Sequence, residues 1–576
     1  MIPSSQQEKM KHYQARIIEV MSKSGVSNLW YFSIILFFLV LVLFPTIFVL
    51  IYVILEFAII QSEVLSNPTI MSEILQALMY SITVSVIVTI VDLIFGLPIS
   101  WILVRKEFRF KSILNSIIEL PLAVPTAGLG FSVALFWGVT PSVPKEEGLV
   151  SVFALNFIQD ALPILILFHF TTTFPYVVRS LAAILDEIDI TLEIAARTCG
   201  ASKFTAARTV TLPLFRSGVA TAMVLSLAKS LSDTGGVMTV LATINSLKQT
   251  GTVLIGNWKG EYKDAIAAGE EPLSYLLPGM AFVSVLMICI ALFLVFLAKI
   301  LAKQAKLPFR RVFPSFEWRI SEGTAPKARS ILSFGFLVVF VLIPSFFLVL
   351  YLFQGISVEK LFTADWLLFS QSILLSVIVA TVATIVNVCL GVPMAILITR
   401  KNHPFSRILD ALVDIPYIVP SAALGFSVGL FWTTQFIFPP NELFFVIMAH
   451  ISMTFPFIVR NTIGGLAELD PSYEDAARSL GARPVQTFRH VTLPVVKFSI
   501  IAGAIMSFTR SIGETGATLA VSPESITAPV FIVELIKGVK PDYFFAALTT
   551  VILILISSLL IFVLRITITK KGKHVV

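Results

Sequence analysis

Residues 193–213 read Glu-Ile-Ala-Ala-Arg-Thr-Cys-Gly-Ala-Ser-Lys-Phe-Thr-Ala-Ala-Arg-Thr-Val-Thr-Leu-Pro, and residues 474–494 read Glu-Asp-Ala-Ala-Arg-Ser-Leu-Gly-Ala-Arg-Pro-Val-Gln-Thr-Phe-Arg-His-Val-Thr-Leu-Pro. Eleven of the 21 positions are identical, where unrelated segments of ordinary composition would share ~1–2. The match belongs to a longer duplication. Gly96-Leu97-Pro98 returns as Gly391-Val392-Pro393, Pro121 and Pro125 as Pro416 and Pro420, and Phe136-Trp137 as Phe431-Trp432, all at an offset of 295. From Phe174-Pro175 and Phe455-Pro456 onward the offset is 281, so the first copy carries a longer loop between its third and fourth apolar runs.

The duplicated unit is a membrane unit. Of 576 residues, 56% are hydrophobic and 13% charged, about half the charged share of a soluble domain. A bilayer takes ~20 residues of apolar helix to cross. Hydropathy places about twelve spans, near 32–60, 76–104, 113–140, 150–178, 214–242 and 273–301, then 330–353, 366–399, 407–436, 442–460, 495–521 and 543–566. The fold class is therefore an all-α polytopic membrane protein with two parallel six-helix repeats. The first half covers 1–301 and the second 329–576, joined by a basic cytoplasmic linker at 302–328.

Net charge is +7, but the cations cluster in alternate loops. Arg105, Lys106, Arg109 and Lys111 follow span two, Lys303, Lys306, Arg310, Arg311 and Arg319 follow span six, and Arg400, Lys401 and Arg407 follow span eight. That asymmetry sets both termini in the cytoplasm and argues against a nucleic-acid partner. Roughly 28 polar residues precede the first apolar run, with no small-residue cleavage site, which fits a retained span in a cell-membrane protein. Cys199, Cys289 and Cys389 have neither disulfide nor metal-ligand spacing. They read as free thiols, two of them within the membrane, and no metal site is expected.

The matched segments lie in cytoplasmic loops at about 179–213 and 460–494. From Asp186 to Arg197 the first should form a helix with acids near its N-terminus, as the macrodipole favours. Alanines give it a thin face, Gly200 ends it or turns it at φ > 0, and Leu212-Pro213 opens the next span. One such helix could rest on lipid headgroups. Two in equivalent places argue for docking on a partner with two matching sites.

Glu-x-Ala-Ala, a glycine soon after, and Leu-Pro about a dozen residues later resemble the EAA loop of the permeases of binding-protein-dependent ABC importers. The fused two-half form resembles the ferric-iron and thiamine branches. The resemblance implies a type I importer permease fold and assigns ATPase coupling to Glu193, Ala195, Ala196 and Gly200, and to Glu474, Ala476, Ala477 and Gly481. Glu193 and Glu474 would then face an ATPase subunit. It further implies two ATPase copies on the cytoplasmic side, an extracytoplasmic substrate-binding protein, and a surrounding lipid bilayer. The sequence has no G-x-x-x-x-G-K-[ST] phosphate loop, so the chain is not itself an enzyme. It should bind no cofactor, with ATP and Mg used by the partner subunits.

A second matched set follows each loop. Lys229-Ser-Leu-Ser232-Asp233-Thr234-Gly235 corresponds to Arg510-Ser-Ile-Gly-Glu514-Thr515-Gly516. Each copy places a cation and an acid at i, i+4 on one helical face. Charges at membrane depth normally face the bundle interior or a wet cavity. Lys229, Ser232, Asp233, Thr234, Arg510, Glu514 and Thr515 therefore line a translocation pathway or gate, or else form neutralised pairs that pin helix packing. Residues 513–517 and 527–529 are similar to sulfate and molybdate permeases, so the solute is expected to be an inorganic anion, with ferric iron as the other option. His169 and His450, taken as out of register, read as packing residues, and the paired prolines of span three as bends. The competing function is an ion-gradient-driven secondary transporter, which would leave the duplicated loops unexplained.

Overall fold

Hydrocarbon offers no water to unpaired backbone groups, so long apolar segments must close their hydrogen bonds internally as helices. The computed structural model describes residues 24–109, 120–138, 158–304, 313–321, 325–354, 365–400, 404–435, 441–521, 526–538 and 540–572, with isolated positions between 111 and 118. Among them, eight helices are long and apolar enough to cross a membrane, and two bent helix pairs raise this to ten. The shorter apolar helices Thr126–Trp137 and Tyr543–Leu559 fall where the remaining two spans were expected. The expected loop between the third and fourth spans of the first half lies largely outside the described residues.

Each fourth span runs on past the C-terminal end that hydropathy suggests. Its helix covers Ala161–Glu187 in the first half and Glu442–Ala467 in the second. Asp186 thus ends a span and does not start the loop helix, because amphipathic turns prolong the helix past the apolar window. Span three is broken outright: Phe405–Ile418 and Ser421–Gln435 meet at 109°, around Val419 and Pro420. Proline holds its predecessor in extended backbone, and Val419 has φ −67° and ψ 129°. The three cysteines are unpaired and exposed. Cys289 and Cys389 lie in spans but on the outer surface of the protein.

The first span of each half packs on the opposite half. Leu29–Leu55 lies against Ser421–Gln435 and Glu442–Ala467, and the helix Ile343–Gln354 lies against Thr126–Trp137. Aromatic contacts repeat across both exchanges: Phe48 meets Phe431 at 5.5 Å and Phe136 meets Phe347 at 5.3 Å. Both exchanged spans contain a proline, Pro45 or Pro344, behind a wide π turn, Leu39–Leu43 or Val338–Leu342. Proline cannot donate to the carbonyl four residues earlier. A hydroxyl from the other half fills that vacancy: Ser452 donates to the Leu41 carbonyl at 2.9 Å, and Thr171 to the Phe340 carbonyl at 3.1 Å. Ser427 and Ser132 likewise donate to the carbonyls of Pro45 and Pro344, at 2.7 and 2.6 Å.

Inside each half, one polar residue ties the second span to its neighbours. Asp92 accepts from the Thr173 and Ser226 hydroxyls, both at 2.6 Å. Asn387, its counterpart at offset 295, donates to Thr454 Oγ1 at 2.8 Å and to the Ile451 carbonyl. Both side chains are fully buried, and among the described residues no cation pairs with Asp92. Asp92→Asn is therefore expected to preserve thermal stability in detergent. Asp92→Leu removes two buried hydrogen bonds, leaving Thr173 only the His169 carbonyl and Ser226 only the Thr89 hydroxyl, and should lose about 1–3 kcal/mol; equal losses in both variants would refute this reading.

Candidate functional site: two loop helices and a junction between halves

The loop helices are Thr191–Thr198 and Pro471–Ser479. Asp189 and Asp470 start them by accepting the backbone N–H groups of Thr191 and Ser472, each at 2.9 Å. Those bonds hold both carboxyls below the usual aspartate range. Gly200 and Gly481 end them at φ 94° and 87°. A Cβ at either glycine would meet nothing within 4 Å, so left-handed backbone, not lack of space, requires glycine there. Ala195 and Ala476 are exposed, and Ala196 and Ala477 are half-buried. Beside them Leu192 and Ile194 on the first helix, Tyr473 on the second and Leu480 just past its end are exposed, among exposed Arg197, Asp475 and Arg478.

The carboxylates of Glu193 and Glu474 turn onto their own chain. Glu193 accepts from Thr211 Oγ1 at 2.8 Å and lies 3.3 Å from Arg105 Nε. Glu474 accepts from Thr492 Oγ1 at 2.7 Å and lies 3.0 Å from Arg400 Nε. Arg105 and Arg400 end the second spans, and they also donate to the carbonyls of Ile188, and of Leu466 and Leu469. Each acid thus locks its loop helix to spans two and five. In the sequence these arginines signal only orientation, although both stand at the 295 offset.

The expected fifth spans, 214–242 and 495–521, are each broken at their charges. Arg216–Ser232 stops where Asp233 turns to extended backbone, and Gly235–Thr243 starts anew. Leu493–Ile512 stops before Gly513, and Gly516–Val521 follows. Each acid serves its own chain twice. Asp233 pairs with Lys229 at 3.3 Å and accepts the Gly236 N–H at 3.1 Å. Glu514 pairs with Arg510 at 2.5 Å and accepts the Ala517 N–H at 3.0 Å.

The two breaks meet across the halves. A Cβ on Gly235 would lie 2.3 Å from Thr515 Cβ, and one on Gly516 2.5 Å from Thr234 Oγ1. Ser421, which opens the helix after Pro420, donates its hydroxyl to the Ser232 carbonyl at 2.8 Å and its N–H to Ser232 Oγ at 3.1 Å. The structure therefore brings Ser232, Thr234 and Thr515 together at the contact of the halves, with both ion pairs buried beside it.

His169 and His450 do share a register, since the 281 offset equates them. His450 bonds Ser511 Oγ at 2.7 Å and Thr518 Oγ1 at 3.0 Å. In the first half Thr518 is replaced by Val237, and among the described residues both His169 Nδ1 and Ser230 Oγ lack partners. Those two atoms border a narrow void lined also by Ser81, Thr250 and Thr252. The halves share a backbone here but not a polar network.

Two segments of the chain, residues 93–306 and 387–570, match the family described as "Binding-protein-dependent transport system inner membrane component". The chain belongs to this family. Both matches hold a loop helix and a broken fifth span of this permease. It is a multi-pass membrane permease of an ABC importer, in a family whose members are not themselves enzymes. Among its relatives, the permease is 34% identical to the sulfate transport system permease protein CysT of Salmonella typhimurium over 216 residues, covering 35% of this chain and 77% of that protein. It is 32% identical to the molybdate/tungstate transport system permease protein WtpB of Pyrococcus furiosus over 200 residues, covering 34% and 78%. With the sulfate transport system permease protein CysW of Synechocystis sp. it shares 27% over 210 residues, covering 34% and 75%. The single-half match lengths fit the duplicated organisation, and the family decides against the ion-gradient alternative.

Proposed function

We infer that this permease carries a small inorganic oxyanion of the sulfate, molybdate or tungstate type, and that the junction at Thr234 and Thr515 is its gate. The observation that carries the reading is the meeting of two broken helices, one from each half, with hydroxyls, Lys229 and Arg510 around the contact. Broken helices inside a bundle expose backbone groups that a continuous span would conceal, which suits a transit point for a polar solute. The names of the relatives supply the solute class. Close packing of Gly235 on Thr515 and of Gly516 on Thr234 suits a shut gate.

On this reading two ATPase subunits dock on the cytoplasmic side, one on each loop helix, through exposed side chains such as Leu192, Ile194, Tyr473 and Leu480. They bind the ATP and Mg, and a substrate-binding protein delivers the solute outside. Both termini lie in the cytoplasm, as the loop cations suggest. Glu193 and Glu474 act as positioning residues that transmit loop movement to spans two and five.

The test is uptake of labelled molybdate, tungstate, sulfate and ferric iron into vesicles holding the complete transporter, with and without ATP. ATP-dependent uptake of an oxyanion is expected. Uptake of ferric iron alone, or oxyanion uptake without ATP, would overturn the proposal.

A further inference from the structure

The linker holds a short helix, Pro314–Ser321, that packs against the first loop and against the helix Ala325–Leu337. Its inner face is polar and locked. Glu317, 3% exposed, accepts from Thr205 Oγ1 at 2.5 Å and pairs with Arg208 at 2.8 Å. Ser321 accepts the Phe204 N–H at 3.0 Å and donates to Ser202 Oγ. Burial works to raise the Glu317 carboxyl, but the Thr205 hydroxyl, the Phe313 N–H and the Arg208 guanidinium outweigh it and hold the group below the usual range. The counterparts of Arg208 and Thr205 in the second loop are Arg489 and Gln486. Arg489 is exposed, with no ion pair among the described residues.

Away from the loop this helix exposes aromatic side chains that flank the exposed Ser315 and Arg319. Phe313, Phe316 and Trp318 are 62%, 60% and 44% exposed. Spanning helices flank it, one ending at Gln304 and one beginning at Ala325, so it is confined to the level of the membrane surface. Residues 302–328 carry six cations, Lys303, Lys306, Arg310, Arg311, Arg319 and Lys327, against two acids, and Glu317 is already neutralised by Arg208. Exposed tryptophan and phenylalanine beside lysine and arginine are the composition that seats a helix among headgroups. Each cation near an anionic surface adds to the attraction.

We propose that Pro314–Ser321 is a lipid-seated strap: its exposed aromatics and Arg319 lie among the anionic headgroups of the cytoplasmic leaflet, and its polar face holds the first coupling loop to that surface. The strap rests on the orientation proposed above and makes the two coupling loops unequal. The first is fastened to lipid, and the second is free to follow its ATPase subunit.

The test uses the complete transporter in vesicles of phosphatidylcholine alone or mixed with phosphatidylglycerol. A nitroxide at Trp318→Cys, with the native cysteines replaced, should gain contact with dissolved oxygen and lose contact with a water-soluble nickel chelate when phosphatidylglycerol is present. Glu317→Gln and Phe316→Ser should each lose uptake per ATP hydrolysed in the mixed vesicles, relative to the unaltered chain. A nitroxide that stays water-exposed in both vesicles, or is shielded only once the ATPase subunit is added, overturns the strap. The nitroxide reading needs no transported solute, so it separates failure of the strap from failure of the oxyanion assignment.

Discussion

Changing Glu193 and Glu474 together to alanine is expected to leave an assembled complex that hydrolyses ATP and moves no solute. Neither carboxylate touches the outer face of its loop helix, so docking of the ATPase should survive. What is lost is the tie from the helix to Arg105 and Thr211, or to Arg400 and Thr492. Removing one partner of a buried ion pair costs about 3–5 kcal/mol, because the other charge stays behind unpaired. The larger share should fall on Glu474, which is 5% exposed and sits closer to its arginine. Arg105→Ala with Arg400→Ala should give the same phenotype. That second pair is decisive: if the arginine variants transport normally while the glutamate variants do not, the acids act directly on the ATPase and the inward lock is irrelevant. Uptake per ATP in proteoliposomes, with co-purification of the ATPase as the control, reads both.

Gly130→Val and Gly425→Val should each abolish the folded protein. These residues stand at the 295 offset in the helices after Pro125 and Pro420. A Cβ at Gly130 would lie 2.2 Å from the carbonyl oxygen of Gly236, and one at Gly425 2.3 Å from that of Ala517. In both places the obstacle is backbone, which no rotamer change can move. Overpacking a tight core costs about 1–3 kcal/mol for modest additions, and valine adds two methyl groups beyond the Cβ. The same carbonyls belong to the short helices after Asp233 and Glu514, so any accommodation must open the gate. Gly464→Ala is the contrast, since a Cβ there meets nothing within 4 Å, and an exposed helical alanine gains up to about 1 kcal/mol over glycine. Monodisperse yield in detergent and thermal unfolding would tell the three apart. A well-folded Gly425→Val protein would refute the close approach.

Much of this architecture is legible in one sequence, for reasons that can be named. Span existence follows from the length of apolar runs, and the duplication from repeated Pro, Gly and aromatic landmarks. The loops show through the Glu-x-Ala-Ala pattern. What stays hidden is partnership. Nothing in the hydropathy of Leu29–Leu55 says which half it packs on; Pro45 hints at an unsatisfied carbonyl, but its donor, Ser452, is 411 residues away from Leu41. The breaks inside the fifth spans were readable in principle, since Asp233 before Gly235-Gly236 and Glu514 between Gly513 and Gly516 pair an acid with glycines at membrane depth. Apolar residues on both sides concealed them. The direction of Glu193 and Glu474 could not be read at all, because a family motif fixes residue identity without saying which neighbour the side chain chose. The register of His169 and His450 was a matter of applying the 281 offset.

The exchanged first spans set an order of events during synthesis. Leu29–Leu55 is made early, yet the surfaces it packs on, Ser421–Gln435 and Glu442–Ala467, emerge several hundred residues later. Domains usually mature as they leave the ribosome, N-terminal first. Here the N-terminal half must wait in the bilayer with one side of its opening helix uncovered and its Leu41 carbonyl without the Ser452 hydroxyl. Joining both halves in one polypeptide shortens that exposure by keeping the missing surface at a high effective concentration. Split into two separately translated proteins, the same halves would depend on chance encounter in the membrane, and each would be open to quality-control proteases until they met.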